Sequence, residues 1–259
     1  MKICVLIKQV PDQNSPLSLS DDQCTISDTN ITWISNESDN YALEEALLIK
    51  EKQDSEVVVC TLGKESSIQV IKDALAKGAD RGIFISDTDY QKYDILTVGK
   101  IFYEKLKDEN FDLILTGLQS DDQGNSQLGI ILSELFNMSN ASLVMETEII
   151  DNKSIKVKRE LENGWFQYSN ISIPASISIQ SGINTPRYAT LKGIMMVKNK
   201  PIDKTSISDL SINDLNPKTE LKKIYIPEKS KETKYIEGSN DEIIEELINV
   251  LKNEIKVIE

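Results

Sequence analysis

Residues 56–86 decide the fold: EVVVCTLG (56–63), KES, SIQVIKDALAKGA (67–79), D, RGIFIS (81–86). The outer pieces are short continuous apolar runs rich in Val and Ile. That is the pattern of strands buried on both faces. Between them apolar residues recur at helical spacing, and Gly78 stops the helix. The stretch predicts one strand–helix–strand unit.

The same alternation continues on both sides. KICVLI (2–7) reads as a buried strand ended by Pro11 and Asp12. DNYALEEALLIKEK (39–52) places Ala42, Ala46, Leu47 and Ile49 at helical spacing, with Asp39 as the expected N-cap. ILTVGKIFYEKLKDE (95–109), FDLILTG (111–117) and QLGIILSELF (127–136) give helix, strand and helix. Such alternation predicts an α/β fold, a mostly parallel sheet with helices on both faces. Ligands in these sheets bind beyond the carboxyl ends of the strands, where the loops 8–13, 62–67 and 117–129 stand. Residues 13–35 are polar and irregular, with short hairpin strands expected around CTIS and ITWI.

Beyond residue 141 the character changes. SLVMETEII, SIKVKRELENGW and FQYSNISIPASISIQ alternate apolar and polar residues, which predicts antiparallel strands or a mixed extension of the sheet. Pro174 is expected at an edge or a strand start. Residues 184–204 hold Arg187, Lys192, Lys198, Lys200 and Lys204 against one acid, Asp203. Residues 205–240 show little periodicity, and 241–257 read as an amphipathic helix capped by Asn240 or Asp241. The expected division is a domain at 1–204 and, at 205–259, an extended C-terminal arm and helix that pack on another subunit.

Composition narrows the chemistry. The 259 residues carry a formal charge of −13, which argues against a nucleic-acid surface. No apolar run approaches a membrane span. The apolar part of MKICVLIK is too short for a secretory signal, so the expected compartment is the cytoplasm. There is no histidine, and the three cysteines, Cys4, Cys24 and Cys60, lack metal-ligand spacing. Histidine-based nucleophile chemistry is excluded, and no metal site or catalytic residue is expected.

The loop GLQSDDQGNSQLG (117–129) is the main binding candidate. Gly117, Gly124 and Gly129 allow close backbone approach, and Ser120, Asn125 and Ser126 add donors before a helix start. It matches neither the P-loop nor the GxGxxG spacing. Asp121 and Asp122 could accept from ribose hydroxyls or point to solvent. An ordinary connecting loop remains the alternative. TPRYATLKGIMMVKNKP (185–201) sets Leu191, Ile194, Met195 and Met196 among lysines. That composition suits partner recognition, or a loop leading into a last strand.

Taken together, VLIKQVPD, ALEEALLIKEK, ALAKGADRGI, GLQSDDQGNSQLG, VKRELENGWFQ…ISIPASISIQ and INTPRYATLKGI occur in an order that resembles the β subunit of electron-transfer flavoprotein. The resemblance covers residues 1 to about 203, and YIPEKSKETKYIEG resembles the versions from methylotrophic bacteria. It implies a nucleotide-α-hydrolase-like, Rossmann-like fold. It also implies a heterodimer whose redox FAD is held mainly by the α subunit, taking electrons from flavin dehydrogenases and passing them towards a quinone oxidoreductase. The β subunit would be a carrier subunit, not an enzyme, and would bury a structural AMP.

Carried over by position, that site comprises Leu6, Asn36, Glu37, Ser38, Asp39, Leu62, Gly117, Leu118, Gln119, Ser120, Asp121, Asp122, Gln123, Gly124, Asn125, Ser126, Gln127 and Leu128. Positions 37–39 depart from relatives, which often carry Pro and an aromatic or Asp, so backbone contacts matter most there. The same mapping makes RYATLKGIM the dehydrogenase-recognition loop, with Leu191 as anchor and Arg187, Tyr188, Ile194 and Met195 around it. A bifurcating branch holds a second FAD in place of AMP and usually carries an Arg-Gln-Ala-Ile-Asp-Gly-Asp-Thr loop. Leu118 and Ser120-Asp121-Asp122 depart from it and favour AMP. A non-redox nucleotide-binding module fits the long arm poorly, and an ATP-using enzyme would need an SGGxDS-type loop where IKQVPDQNS stands.

Overall fold

In the computed structural model, which describes residues 1–212, 214–227 and 233–258, the chain opens with β1 (Lys2–Leu6), β2 (Gln9–Pro11), β3 (Trp33–Ser35) and α1 (Glu37–Lys52). The unit at 56–86 forms as β4 (Glu56–Gly63), α2 (Ile68–Lys77) and β5 (Arg81–Ser86). Next come α3 (Ile95–Leu106), β6 (Leu113–Gly117) and α4 (Leu128–Phe136). They are followed by β7 (Ser139–Asp151), β8 (Ser154–Glu160), β9 (Phe166–Ser172), β10 (Ala175–Ile179), the short α5 (Leu191–Met196) and β11 (Ile202–Ser206). Helix α6 (Asn240–Asn249) follows, continued by a π-helical turn at Val250–Glu254. The chain forms two compact units, Met1–Ile224 and Tyr225–Glu259. Strand β11 spans the 204/205 position.

Nine strands make one sheet in the order β11-β5-β4-β1-β6-β10-β7-β8-β9. Every pairing from β11 to β7 is parallel, and β8 and β9 extend the sheet antiparallel. Period-2 alternation splits the core into two layers. Ile3 and Val5 face α1 and α2, whereas Cys4 and Leu6 face α3 and α4. A slip of one residue would exchange the layers, and each fully buried Val, Leu or Ile is worth roughly 1.5–3 kcal/mol, so register is strongly fixed. Gly78 ends α2 at φ +136°, a conformation other residues adopt with strain. Pro174 stands immediately before β10.

Three local expectations are corrected. Helix α1 begins earlier than expected, after Asn36, and Asp39 is not its N-cap because its carboxylate is engaged with the ends of β1 and β6. CTIS and ITWI do not form a hairpin. Ile26 makes one isolated bridge with Leu19, while Trp33–Ser35 pairs with the chain just leaving β1. Helix α6 follows Ser239, whose N–H and hydroxyl both donate to Glu242 at 2.8 and 2.7 Å, a local bond unavailable to Asn240 or Asp241 at that position.

Candidate functional site

From β1 the chain moves outward to β4 and β5, then crosses back to β6 on the other flank of β1. This reversal opens a crevice at the strand ends, the usual place for a ligand in such sheets. A cleft enclosing about 210 Å³ lies there. Its floor is made by Leu6, Ile7 and Lys8, by Leu62 at the end of β4, and by Thr116–Ser120.

Asp39 joins these parts. One carboxylate oxygen accepts from the Lys8 N–H at 2.8 Å and the other from the Gly117 N–H at 3.0 Å. Burial opposes its charge more than these bonds and Asn36 and Lys8 favour it, so its pKa rises to about 7. No room exists for a side chain at 117, where a Cβ would meet Ser38 Oγ and the Asp39 backbone nitrogen.

The loop 117–129 is held from beneath by α1. Fully buried Asn36 donates to Gln119 O at 2.9 Å and accepts from the Asp121 N–H at 2.9 Å. The Ser38 hydroxyl donates to Gln119 O at 2.6 Å. Both acids are engaged by neighbouring groups. Asp121 accepts from the Glu37 N–H at 3.3 Å, and Asp122 pairs with Lys8 at 2.7 Å. Gly124 and Ser126 have φ of +61° and +54°, turning the loop towards α4. Among the described residues, the N–H groups of Asn125, Ser126, Gln127 and Leu128 have no protein acceptor, and all four line the cleft. Unpaired amides beside the start of a helix are groups that can receive an anion.

The electron transfer flavoprotein domain model matches residues 23–210. The "Electron transfer flavoprotein subunit beta" of Methylophilus methylotrophus is 36% identical, covering 99% of both chains. That of Bacillus subtilis is 31% identical, and the mitochondrial one of Arabidopsis thaliana 32%, each over 100% of both chains. The chain belongs to the electron transfer flavoprotein β-subunit family. It is thus an electron transfer flavoprotein component, and none of its described helices is long and apolar enough to cross a membrane.

The structure sorts the residues that family membership points to. Leu6, Asp39, Leu62, Gly117–Ser120, Asp122, Gln123 and Asn125–Leu128 line the cleft. Asn36, Glu37, Ser38, Asp121 and Gly124 do not line it, and instead support or bend the loop. Sequence reasoning missed an aromatic and apolar wall: Trp33, Tyr90, Tyr93, Ile95, Val98 and Phe102. Its members come from three separate segments, so no single motif announces it. The helical spacing of Ile95, Val98 and Phe102 was the one available signal. Tyr93 is held by Asp87 at 2.8 Å, and burial and that carboxylate push its pKa up to about 12.

The second candidate region is α5 and its approach. Leu191 is 76% exposed and Tyr188 93%, with Ile194 and Met195 also exposed. The base of the region is firm. Arg187 grips buried Glu44 at 2.8–3.1 Å and Glu51 at 2.6 Å, and the hydrogen bonds it donates to these carboxylates raise its pKa. Thr190 accepts from the Gly193 N–H at 3.0 Å, and Gly193 lies so close to the Ala76 carbonyl that no Cβ fits. Lys200 donates to Leu75 O and Ala79 O, and Lys204 pairs with Glu65. The basic island is therefore largely consumed internally. Only Lys192 and Lys198 of its five cations lack an ion pair or hydrogen bond among the described residues.

Proposed function

We propose that this chain is the β subunit of a heterodimer with an electron-transfer flavoprotein α subunit, that it holds AMP in the strand-end cleft, and that it docks a flavin dehydrogenase through Leu191. The observation that carries the reading is the set of four N–H groups without a protein acceptor, Asn125–Leu128, on residues that line a cleft in which Lys8, the one lining cation among the described residues, is already paired with Asp122. A single phosphate suits that set, because backbone amides and a helix start bind it without a counter-cation. The wall of Trp33, Tyr90 and Phe102 offers an apolar surface for a base.

FAD, held mainly by the α subunit, supplies the redox chemistry, with electrons leaving towards a quinone oxidoreductase. This chain contributes position, shape and docking, in the cytoplasm. The test is to co-express the chain with its α subunit, release the ligands by heat, and count them by mass spectrometry. One FAD and one AMP per heterodimer is the expected result. Two FAD and no AMP would overturn the AMP assignment and make the cleft a second redox site. No nucleotide at all would remove the cleft's role.

A further inference from the structure

The cleft has an outer wall that is not part of the sheet. After β11 the chain packs Ile207, Leu210, Ile212 and Leu215 against the α3–α4 side of the core. It then runs back across the cleft mouth without regular structure, and Leu221 and Ile224 become lining residues. The segment is pinned at few points. Asp94 accepts from the Lys218 and Thr219 N–H groups at 2.5 and 3.1 Å, while its other oxygen caps α3 through Thr97 at 2.8 Å. At the far end the Ile224 N–H donates to Gln23 O at 2.8 Å, and the Cys24 thiol reaches the Lys222 carbonyl at 3.5 Å. Cys24, Thr25 and Ile26 themselves line the cleft.

We propose that residues 214–224 are a strap that closes the cleft over its bound mononucleotide, latched on Asp94 and Gln23, and that the ligand leaves only when the strap lifts. The proposal rests on the nucleotide reading of the cleft. The floor is built from buried strand ends with dense hydrogen bonding, whereas the strap is held by three backbone N–H bonds, the Cys24 thiol, a long Lys100–Asp214 ion pair at 3.9 Å and the side chains of Leu215, Leu221 and Ile224. Local opening begins where such contacts are fewest. The strap ends where the second compact unit begins in sequence, so a partner that engages the second unit is tethered directly to it.

Cys24 provides a built-in reporter. Cys4 and Cys60 are fully buried, and burial pushes both thiols up, leaving Cys24 as the partly exposed thiol beneath the strap. The test is maleimide labelling of Cys24 in the full-length chain, read by mass, alongside exchange of bound AMP for isotopically labelled AMP. Two variants are compared with wild type. Ile224→Pro removes the N–H that holds Gln23. Asp94→Ser keeps a cap for α3 but loses the oxygen that holds Lys218 and Thr219. Loss of one latch should raise both rates about tenfold. Labelling that stays at the wild-type rate in both variants overturns the strap. Faster labelling with unchanged AMP exchange overturns its role in ligand release. A wild-type chain that carries no AMP overturns the nucleotide reading and the release step with it, while the labelling rates still decide whether the strap lifts.

Discussion

The loop 117–129 and the segment 184–199 both leave the ordered fold for a few residues, but they are held in opposite ways. The first is fixed along its length: Gly117 on Asp39, Gln119 on Asn36 and Ser38, Asp121 on Asn36, Asp122 on Lys8. What it leaves free is backbone N–H, on residues that line the cleft. The second is fixed at its base, by Asn184 on Tyr41 O and Glu45, by Arg187 on Glu44 and Glu51, and by Gly193 against α2. What it leaves free is apolar side chain, facing outward. A small ligand is bound well when donors are prearranged, so the ordering cost is met in folding. A protein partner needs an exposed apolar anchor beside little else of consequence. The contrast predicts that mutations in the first region change stability and ligand content together, and that mutations at the tip of the second change neither.

Asn36→Ala should produce the largest effect. It leaves the Asp121 N–H without its buried acceptor and takes one of two donors from the Gln119 carbonyl, a loss of about 3 kcal/mol with lowered AMP content. Thermal melting and ligand counting measure both. A variant that melts like wild type and keeps its ligand would show that the loop holds itself, and the comparison would collapse.

The carboxylate of Asp39 gives the first region a pH signature that the second lacks. Its folded pKa of about 7 lies above its unfolded value. Between the two the folded chain binds more protons, so its contribution to stability is fully present below the unfolded pKa and is lost as pH rises towards 7. The depressed carboxylates, such as Asp94 and Asp214, act with the opposite sign and at lower pH. Denaturant titrations from pH 5 to 8 should show stability falling across the window in wild type, and a flatter profile in Asp39→Asn. An equal slope in both would assign the dependence elsewhere.

How much of this contrast was legible in the sequence depends on the range of the interactions. The βαβ units, the switch in character near residue 141 and the strand-end position of the loop follow from period and local turn residues, which a sequence displays directly. The roles of Asn36 and Asp39 do not. Asp39 at the start of an apolar-periodic run looks like a cap, and only its meeting with the Lys8 and Gly117 amides, 31 and 78 positions away, reveals a clamp. The strap was equally hidden. Residues 214–224 have no periodicity, and their closure of the cleft depends on Asp94 and Gln23, both far off in sequence. Arg187 looked like part of a basic docking rim because Glu44, which consumes its charge, sits on a different element.

Glu44→Ala tests the base of the second region. The pair is buried on one side and partly solvated on the other, so its loss should cost only about 1–2 kcal/mol. AMP content should hold, because no group of the cleft is touched, while electron transfer from the dehydrogenase should weaken as the segment loses its mooring. Loss of AMP in this variant would join the two regions into one unit.

Leu191→Ala should change stability least and function most selectively. Its side chain is 76% exposed and contributes little to the folded chain, so melting should move by less than about 0.5 kcal/mol equivalent. If Leu191 is the anchor that a dehydrogenase pocket receives, the rate of electron delivery should fall at least about tenfold, since truncating a central apolar anchor commonly costs over 1 kcal/mol of binding. FAD and AMP should both stay at wild-type stoichiometry. Steady-state turnover of the dehydrogenase against the purified heterodimer separates the cases. A fall in rate with cofactors intact places recognition at the tip. A fall accompanied by cofactor loss makes the residue structural. No fall at all moves docking to another surface, leaving the firm base of the segment without a tip to serve.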